Sequence, residues 1–219
     1  LWTAHGRFPT NTPGWWGGAH PFTLLNWSVV HNGEISSYDA NRRYVEQFGY
    51  DCQLQTDTEV ITYLFDLLSR RHGYSQEMAA HIMTAPTWDD IDRMDPHDAK
   101  FETALRIAYS SALINGPMSV ILGSSEGLLA LNDRLKLRAL MVAEKGSMVY
   151  LASEQAAIEV ICPDAENMRS IEGGVPFVVQ LDEVAAAKAQ EGGVNEPLHE
   201  KPAANLTSAA PTRTRQRGV

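Results

Sequence analysis

Cysteine is scarce in this chain: only two of its 219 residues are cysteines, Cys52 and Cys162, and they form no CxxC pair. Small secreted domains that depend on disulfide bonds carry more cysteines than this. Two cysteines can still form one bridge, but their scarcity fits a reducing compartment better. We therefore expect a cytoplasmic protein.

A basic excess and a long apolar run are also missing. The formal net charge is -9 at pH 7, whereas nucleic acids and anionic membranes attract proteins with a basic face. No apolar stretch approaches the roughly 20 residues of a membrane-spanning helix. We therefore expect neither a nucleic-acid nor a membrane partner. What is present is an ordinary globular balance of 44% hydrophobic and 21% charged residues, enough to bury a core.

The order of strands, then helices, then strands predicts an α+β or layered α/β domain. The many strands on short turns favour mostly antiparallel sheets. Strands are predicted over 22–31, 118–122, 128–131, 137–142, 148–152 and 175–181. Helices are predicted over 36–48, 56–71, 75–83, 88–94, 98–115 and 153–160, with a capping box formed by Thr56 and Glu59. The domain is expected to span residues 1-184. Residues 185-219 carry few large apolar side chains and are predicted to be a flexible or disordered tail, or a linker cut short.

Asn32 and Gly33 follow a predicted strand and allow two interpretations. As a local signal, the pair is typical of a type I′ hairpin turn. Alternatively, the Asn32 amide and the Gly33 N–H form an oxyanion hole, because glycine lets the backbone approach a substrate closely. The sequence pattern alone leaves both interpretations open.

Arg7 and Asp57 are also ambiguous. An arginine among turn-forming residues usually makes a surface ion pair, but it can also bind a substrate carboxylate through two parallel hydrogen bonds. Asp57 lies at the start of a predicted helix, where it can cap the backbone or hold a substrate ammonium group. The histidines show no HExxH spacing, so no metal site is predicted.

Four segments in a fixed order resemble the class II (N-terminal-nucleophile) glutamine amidotransferase domain. They are residues 4–12 (AHGRFPTNT), 19–22 (AHPF), 31–35 (HNGEI) and 56–61 (TDTEVI). Residues 7–12 are most similar to the glutamate synthase branch of that family. Residues 132–140, 150–154 and 170–174 are similar to later segments of the same domain. The resemblance covers about residues 1–182 and implies the four-layer αββα N-terminal-nucleophile hydrolase fold, truncated at its N-terminus.

The resemblance also implies a role for each matching residue. Arg7 would bind the α-carboxylate of L-glutamine, and Asp57 its α-ammonium group. The Asn32 side chain and the Gly33 N–H would form the oxyanion hole. Thr10 and Asn11 would line the glutamine pocket. The domain would hydrolyse glutamine to glutamate and deliver ammonia to a synthase subunit or domain, within a hetero- or homo-oligomer.

No cofactor is expected in this domain, since the chain has neither a dinucleotide-binding glycine pattern nor an iron–sulfur cysteine set. The resemblance to glutamate synthase implies that FMN and an iron–sulfur cluster would belong to a partner subunit.

The family's nucleophile is a cysteine at the mature N-terminus, whose own α-amine acts as the base. Leu1 cannot take this part, and neither Cys52 nor Cys162 carries a free α-amine. We expect that this chain is a truncated piece of an active enzyme and is inactive alone. The alternatives are a catalytically silent subunit with a role in assembly, and an amidohydrolase of the same fold acting on another amide.

Overall fold

The computed structural model describes residues 1–6 and 14–181. Arg7, Thr10, Asn11 and the predicted tail over 185–219 lie outside these ranges. The predicted domain end at residue 184 also falls outside them and stays a prediction. None of the helices in the described residues is long and apolar enough to cross a membrane.

The described strands form two antiparallel sheets. The strands are β1 (Phe22–Leu24), β2 (Trp27–Gly33), β3 (Met118–Gly123), β4 (Gly127–Asn132), β5 (Met141–Lys145), β6 (Met148–Ala152), β7 (Glu166–Ser170) and β8 (Phe177–Gln180). The larger sheet has the order β1-β2-β3-β4-β8, and the smaller sheet has the order β6-β5-β7. Every strand pair in both sheets is antiparallel, as the short turns predicted.

Most helices lie between β2 and β3 in the chain. They are α1 (Tyr38–Gln47), α2 (Asp57–Asp66), α3 (Gln76–Met83), α4 (Trp88–Ile91) and α5 (Pro96–Ala108), and α6 (Gln155–Ile161) follows β6. A π-helical turn (Leu67–Arg71) extends α2, and short 3-10 helices occupy Trp16–Gly18 and Ser110–Ala112.

The strand residues alternate between two cores, which gives a layered α+β architecture. Val120 and Leu122 of β3 pack with α1, α2 and α3 on one face of the larger sheet. Ile121, between them, packs toward the smaller sheet with Val142 and Leu151. Helix α6 lies against β6, and the side chain of Tyr150, which alternates with Leu151, interacts with Cys162 just after α6. The layers therefore run helices, larger sheet, smaller sheet, helix.

Two of the predicted strands are wrong in detail. Residues 22–31 form a hairpin instead of one strand, because Leu25 has a φ of 55° and turns the chain between β1 and β2. The strand predicted over 137–142 begins only at Met141. The buried carboxylate of Asp133 accepts the backbone N–H groups of Leu137 and Arg138, which are then unavailable for a strand ladder. Strand β7 was not predicted, since its sequence is mostly polar.

The predicted capping box at the start of α2 is also wrong. The Thr56 side chain makes no capping hydrogen bond. Glu59 instead accepts the N–H groups of Gln53 (3.1 Å) and Leu54 (2.9 Å). The buried Glu59 carboxylate therefore holds the turn that precedes Asp57, rather than closing a reciprocal cap.

Candidate active site

Asn32 and Gly33 are the last two residues of β2. They pair with Ser119 and Met118 of β3, so the hairpin-turn interpretation of this dipeptide is wrong. Gly33 has a φ of 147°, and a Cβ at this position would overlap the carbonyl oxygen of Pro117. Glycine is therefore required here by the close approach of the neighbouring strand.

We expect Gly33→Ala to lower the free energy of unfolding by about 3 kcal/mol or more, because the new Cβ meets fixed backbone. Gly49→Ala is the matched control, since Gly49 also has a positive φ of 85° but has open space around the added Cβ. Gly49→Ala is expected to lower the free energy of unfolding by about 1 kcal/mol. Urea unfolding measures both values. Equal losses for the two variants would show that the contact with Pro117 is unimportant.

Asp57 is the first residue of α2, and its carboxylate is tied to the end of β2. The Nδ1–H of the buried His31 donates to Asp57 Oδ1 at 3.2 Å. The backbone N–H groups of Ile35 and Thr58 donate to the same carboxylate. Burial by itself raises the pKa of Asp57, but the hydrogen bonds from His31, Ile35 and Thr58 outweigh it and bring the pKa below its ordinary value. The carboxylate is therefore charged at neutral pH.

Two further histidines link the start of the chain to the start of α2. The rings of His5 and His20 lie with their centroids 4.5 Å apart. His20 Nε2 makes a short contact with the Oγ1 of Thr58, the residue after Asp57. Residues 1–6 have no regular secondary structure.

A cavity of about 230 Å³ opens beside these residues. Its lining includes Gly6, His31, Asn32, Ser119 and Leu151, so it lies between the two sheets at the end of β2. Pockets for drug-sized ligands have volumes of roughly 300–1,000 Å³. The cavity therefore suits a small metabolite.

Arg138 is a site residue that the sequence did not reveal. Its Nη2 donates to the side-chain oxygen of Asn32 in a short hydrogen bond. Arg138 belongs to one of the segments that carry the resemblance, but nothing in that segment indicated a contact with residue 32.

No group of three or more metal-ligating side chains occurs in residues 1–6 and 14–181.

The predicted site residues thus fall into two sets. The structure brings Asn32, Gly33 and Asp57 together around the end of β2, while Arg7, Thr10 and Asn11 lie in the range that it does not describe. Both cysteines are buried free thiols. Burial, helped by the nearby Glu59 carboxylate, raises the pKa of Cys52 to about 11, so this thiol is a poor nucleophile at neutral pH.

Comparison with known proteins places this geometry in a family. The family described as glutamine amidotransferases class-II matches residues 1–196. An uncharacterized protein of Archaeoglobus fulgidus is 50% identical over 181 residues, which are 83% of this chain and 48% of that protein. A glutamine–fructose-6-phosphate aminotransferase (isomerizing) of Aliivibrio fischeri is 28% identical over 72% of this chain and 24% of its own. The chain therefore spans about half the length of the first relative and about a quarter of the second.

Solved structures agree on the fold. Glutamine phosphoribosylpyrophosphate amidotransferase from B. subtilis has a TM-score of 0.52 at 20% identity, over 77% of this chain and 31% of that one. A structure described as the allosteric regulatory enzyme of purine biosynthesis has a TM-score of 0.56 at 21% identity, over 82% of this chain and 32% of that one. The glutamate synthase branch stays a prediction. The chain belongs to the class II glutamine amidotransferases and has their N-terminal-nucleophile hydrolase fold.

Proposed function

We propose that this domain binds L-glutamine at the end of β2, hydrolyses its side-chain amide and delivers the ammonia to a synthase partner. One observation carries the proposal. Asp57 is hydrogen-bonded to His31 and to Ile35, which lie just before and just after the segment 32–34 that contains Asn32-Gly33. The Asp57 carboxylate, which suits an ammonium group, is thereby held at a fixed position relative to the Asn32 amide and the Gly33 N–H. These two groups are hydrogen-bond donors suited to an oxyanion.

The charges of the site match a zwitterionic amino acid. The ionised Asp57 supplies the anionic anchor for the α-ammonium group. Arg7 supplies the cationic anchor for the α-carboxylate, since a guanidinium binds a carboxylate through two parallel hydrogen bonds. Gly6, which directly precedes Arg7 in the chain, lines the cavity. The resemblance assigns Thr10 and Asn11, in the same segment, to the glutamine pocket.

The reaction runs through a thioester. A cysteine thiolate adds to the amide carbon, and the developing oxyanion accepts hydrogen bonds from the Asn32 amide and the Gly33 N–H. Collapse of this tetrahedral intermediate breaks the C–N bond. The proton taken from the thiol is transferred to the nitrogen, which leaves as ammonia. Water then cleaves the thioester to give glutamate and the free thiol. Neither Cys52 nor Cys162 has a free α-amine, so neither is proposed as this nucleophile.

The ammonia acceptor belongs to another domain or subunit. We propose a glutamate-synthase-like partner that carries FMN and an iron–sulfur cluster, in a hetero- or homo-oligomer, because residues 7–12 are most similar to that branch. Two free thiols fit a cytoplasmic location.

The test is the release of glutamate and ammonia from L-glutamine by the full-length protein. We expect Arg7→Ala to raise KM by about 30- to 150-fold, because a charge-assisted pair with the substrate carboxylate is worth about 2–3 kcal/mol. The exposed Arg93, which pairs with Asp89 on α4, offers the control Arg93→Ala, with an unchanged KM.

Two outcomes would contradict the proposal. If Arg7→Ala leaves KM unchanged, the assignment of the carboxylate anchor fails. If the wild-type full-length protein binds glutamine but releases no glutamate, the silent-subunit alternative replaces the proposed activity.

A further inference from the structure

We propose that Arg138 is a positioning residue for the oxyanion hole, acting through the side chain of Asn32; this rests on the proposed glutaminase function. Arg138 would fix which end of the Asn32 amide faces the reacting carbonyl. Without it, the amide would be free to turn its oxygen toward the oxyanion and repel it.

The donor inventory of the two side chains carries this inference. A guanidinium has five N–H donors and no acceptor, so only the oxygen of an amide can face it. The hydrogen bond from Arg138 Nη2 to Asn32 Oδ1 therefore turns the Asn32 NH₂ group away from Arg138. Asn32 lines the cavity, which leaves this NH₂ group available to a substrate oxygen. An oxyanion accepts hydrogen bonds, so the amide orientation set by Arg138 is the productive one.

The loop that carries Arg138 is fixed on both sides. The buried carboxylate of Asp133 accepts the N–H groups of Leu135 at 3.1 Å, Leu137 at 3.0 Å and Arg138 at 3.2 Å. On the other side, the hydroxyl of Ser119 lies 3.1 Å from the carbonyl oxygen of Ala139. Ser119 is the strand partner of Asn32. The backbone next to Arg138 is thus tied to the strand beside Asn32, which limits the loss of entropy when the guanidinium binds the amide.

The guanidinium of Arg138 is engaged by the Asn32 amide. In the described ranges, no carboxylate forms an ion pair with Arg138. The arginine–carboxylate pairs found there are made by Arg42, Arg70, Arg93 and Arg169. A guanidinium that donates to an amide oxygen polarises the amide and makes its N–H groups stronger donors, since linked hydrogen bonds reinforce each other. Arg138 would therefore contribute to the strength of the oxyanion contact as well as to its direction.

A double-mutant cycle in the full-length protein tests this role. Arg138→Met removes the donors but keeps the length of the side chain, and we expect it to lower kcat for glutamine by about 10- to 100-fold with little change in KM. In an Asn32→Ala background, the same substitution is expected to change kcat by less than about threefold, because residues acting as one unit are not additive. Arg138→Lys, which keeps a donor, is expected to recover part of the loss.

Arg134→Met is the matched control. Arg134 lies in the same loop and is also half-buried, but its hydrogen bonds go to Ala85 and Asn115. We expect Arg134→Met to leave kcat unchanged. Its effect and that of Asn32→Ala should be additive in the double variant. Thermal unfolding of each variant separates misfolding from loss of turnover.

The outcomes separate this inference from the proposed function. If Asn32→Ala itself leaves kcat unchanged, the proposed oxyanion hole fails. If Asn32→Ala lowers kcat but Arg138→Met has no effect, or has the same effect in both backgrounds, the positioning role of Arg138 is overturned while the glutaminase proposal stands.

Discussion

Asp57→Asn is expected to lower kcat/KM for glutamine by about 30- to 4,000-fold in the full-length protein, mainly through KM. Removing one partner of a desolvated charge pair costs about 2–5 kcal/mol, and each 1.4 kcal/mol corresponds to a factor of about ten. The asparagine side chain keeps the shape of the aspartate but has no charge to offer the substrate ammonium group. Initial-rate kinetics across glutamine concentrations measure the change.

Asp66→Asn is the matched control for Asp57→Asn. Asp66 is the last residue of α2, is similarly enclosed, and accepts hydrogen bonds from Tyr50 and Arg70. Its replacement can lower stability but should leave KM unchanged. A KM for Asp57→Asn within about twofold of the control would contradict the assignment of the ammonium anchor.

The lowered pKa of Asp57 adds a pH dependence to this expectation. Its folded-state pKa is below the ordinary value of 3.8, so its contribution to stability is complete above that value. That contribution is lost only as the pH falls through the lowered, folded-state pKa. An acidic limb of the KM profile above pH 5 would therefore belong to another group, and Asp57→Asn should leave such a limb in place.

Asn32→Ala is expected to lower kcat by about 100- to 1,000-fold with little change in KM. Removal of one oxyanion-hole donor typically costs about 2.7–4 kcal/mol, and the contact strengthens as charge develops on the oxygen. Asn26→Ala, in the exposed turn of the same hairpin, is the control, since Asn26 contacts Arg70 and Ser125. A fall in kcat of less than about threefold would contradict the proposed role of Asn32.

The sequence was informative where local patterns decide the structure. A short apolar run between turns identified β3, in which Val120 and Leu122 face the helices while Ile121 faces the smaller sheet. The start of α2 at Asp57 was also predicted closely. The hairpin at Leu25 was missed because a leucine with positive φ gives no turn signal of the kind that glycine or asparagine gives.

Contacts between residues distant in sequence could not be predicted from local sequence patterns. The bond between Arg138 and Asn32 joins residues 106 positions apart, and only the pairing of β2 with β3 brings their surroundings together. The late start of β5 was also not predictable from a local pattern. The Asp133 carboxylate accepts backbone N–H groups that a strand ladder would otherwise use. The roles of Arg7, Thr10 and Asn11 stay predictions from the resemblance.

The end of β2 places its functional groups on both sides of one strand. The side chain of His31 contacts Asp57 at the start of α2, whereas that of Asn32 contacts Arg138, and both residues line the cavity. Inserting or deleting a single residue in this strand would exchange the two sides, because side chains alternate along a strand. One such change would displace His31 from Asp57 and Asn32 from Arg138 together, so this strand should not tolerate a change in length.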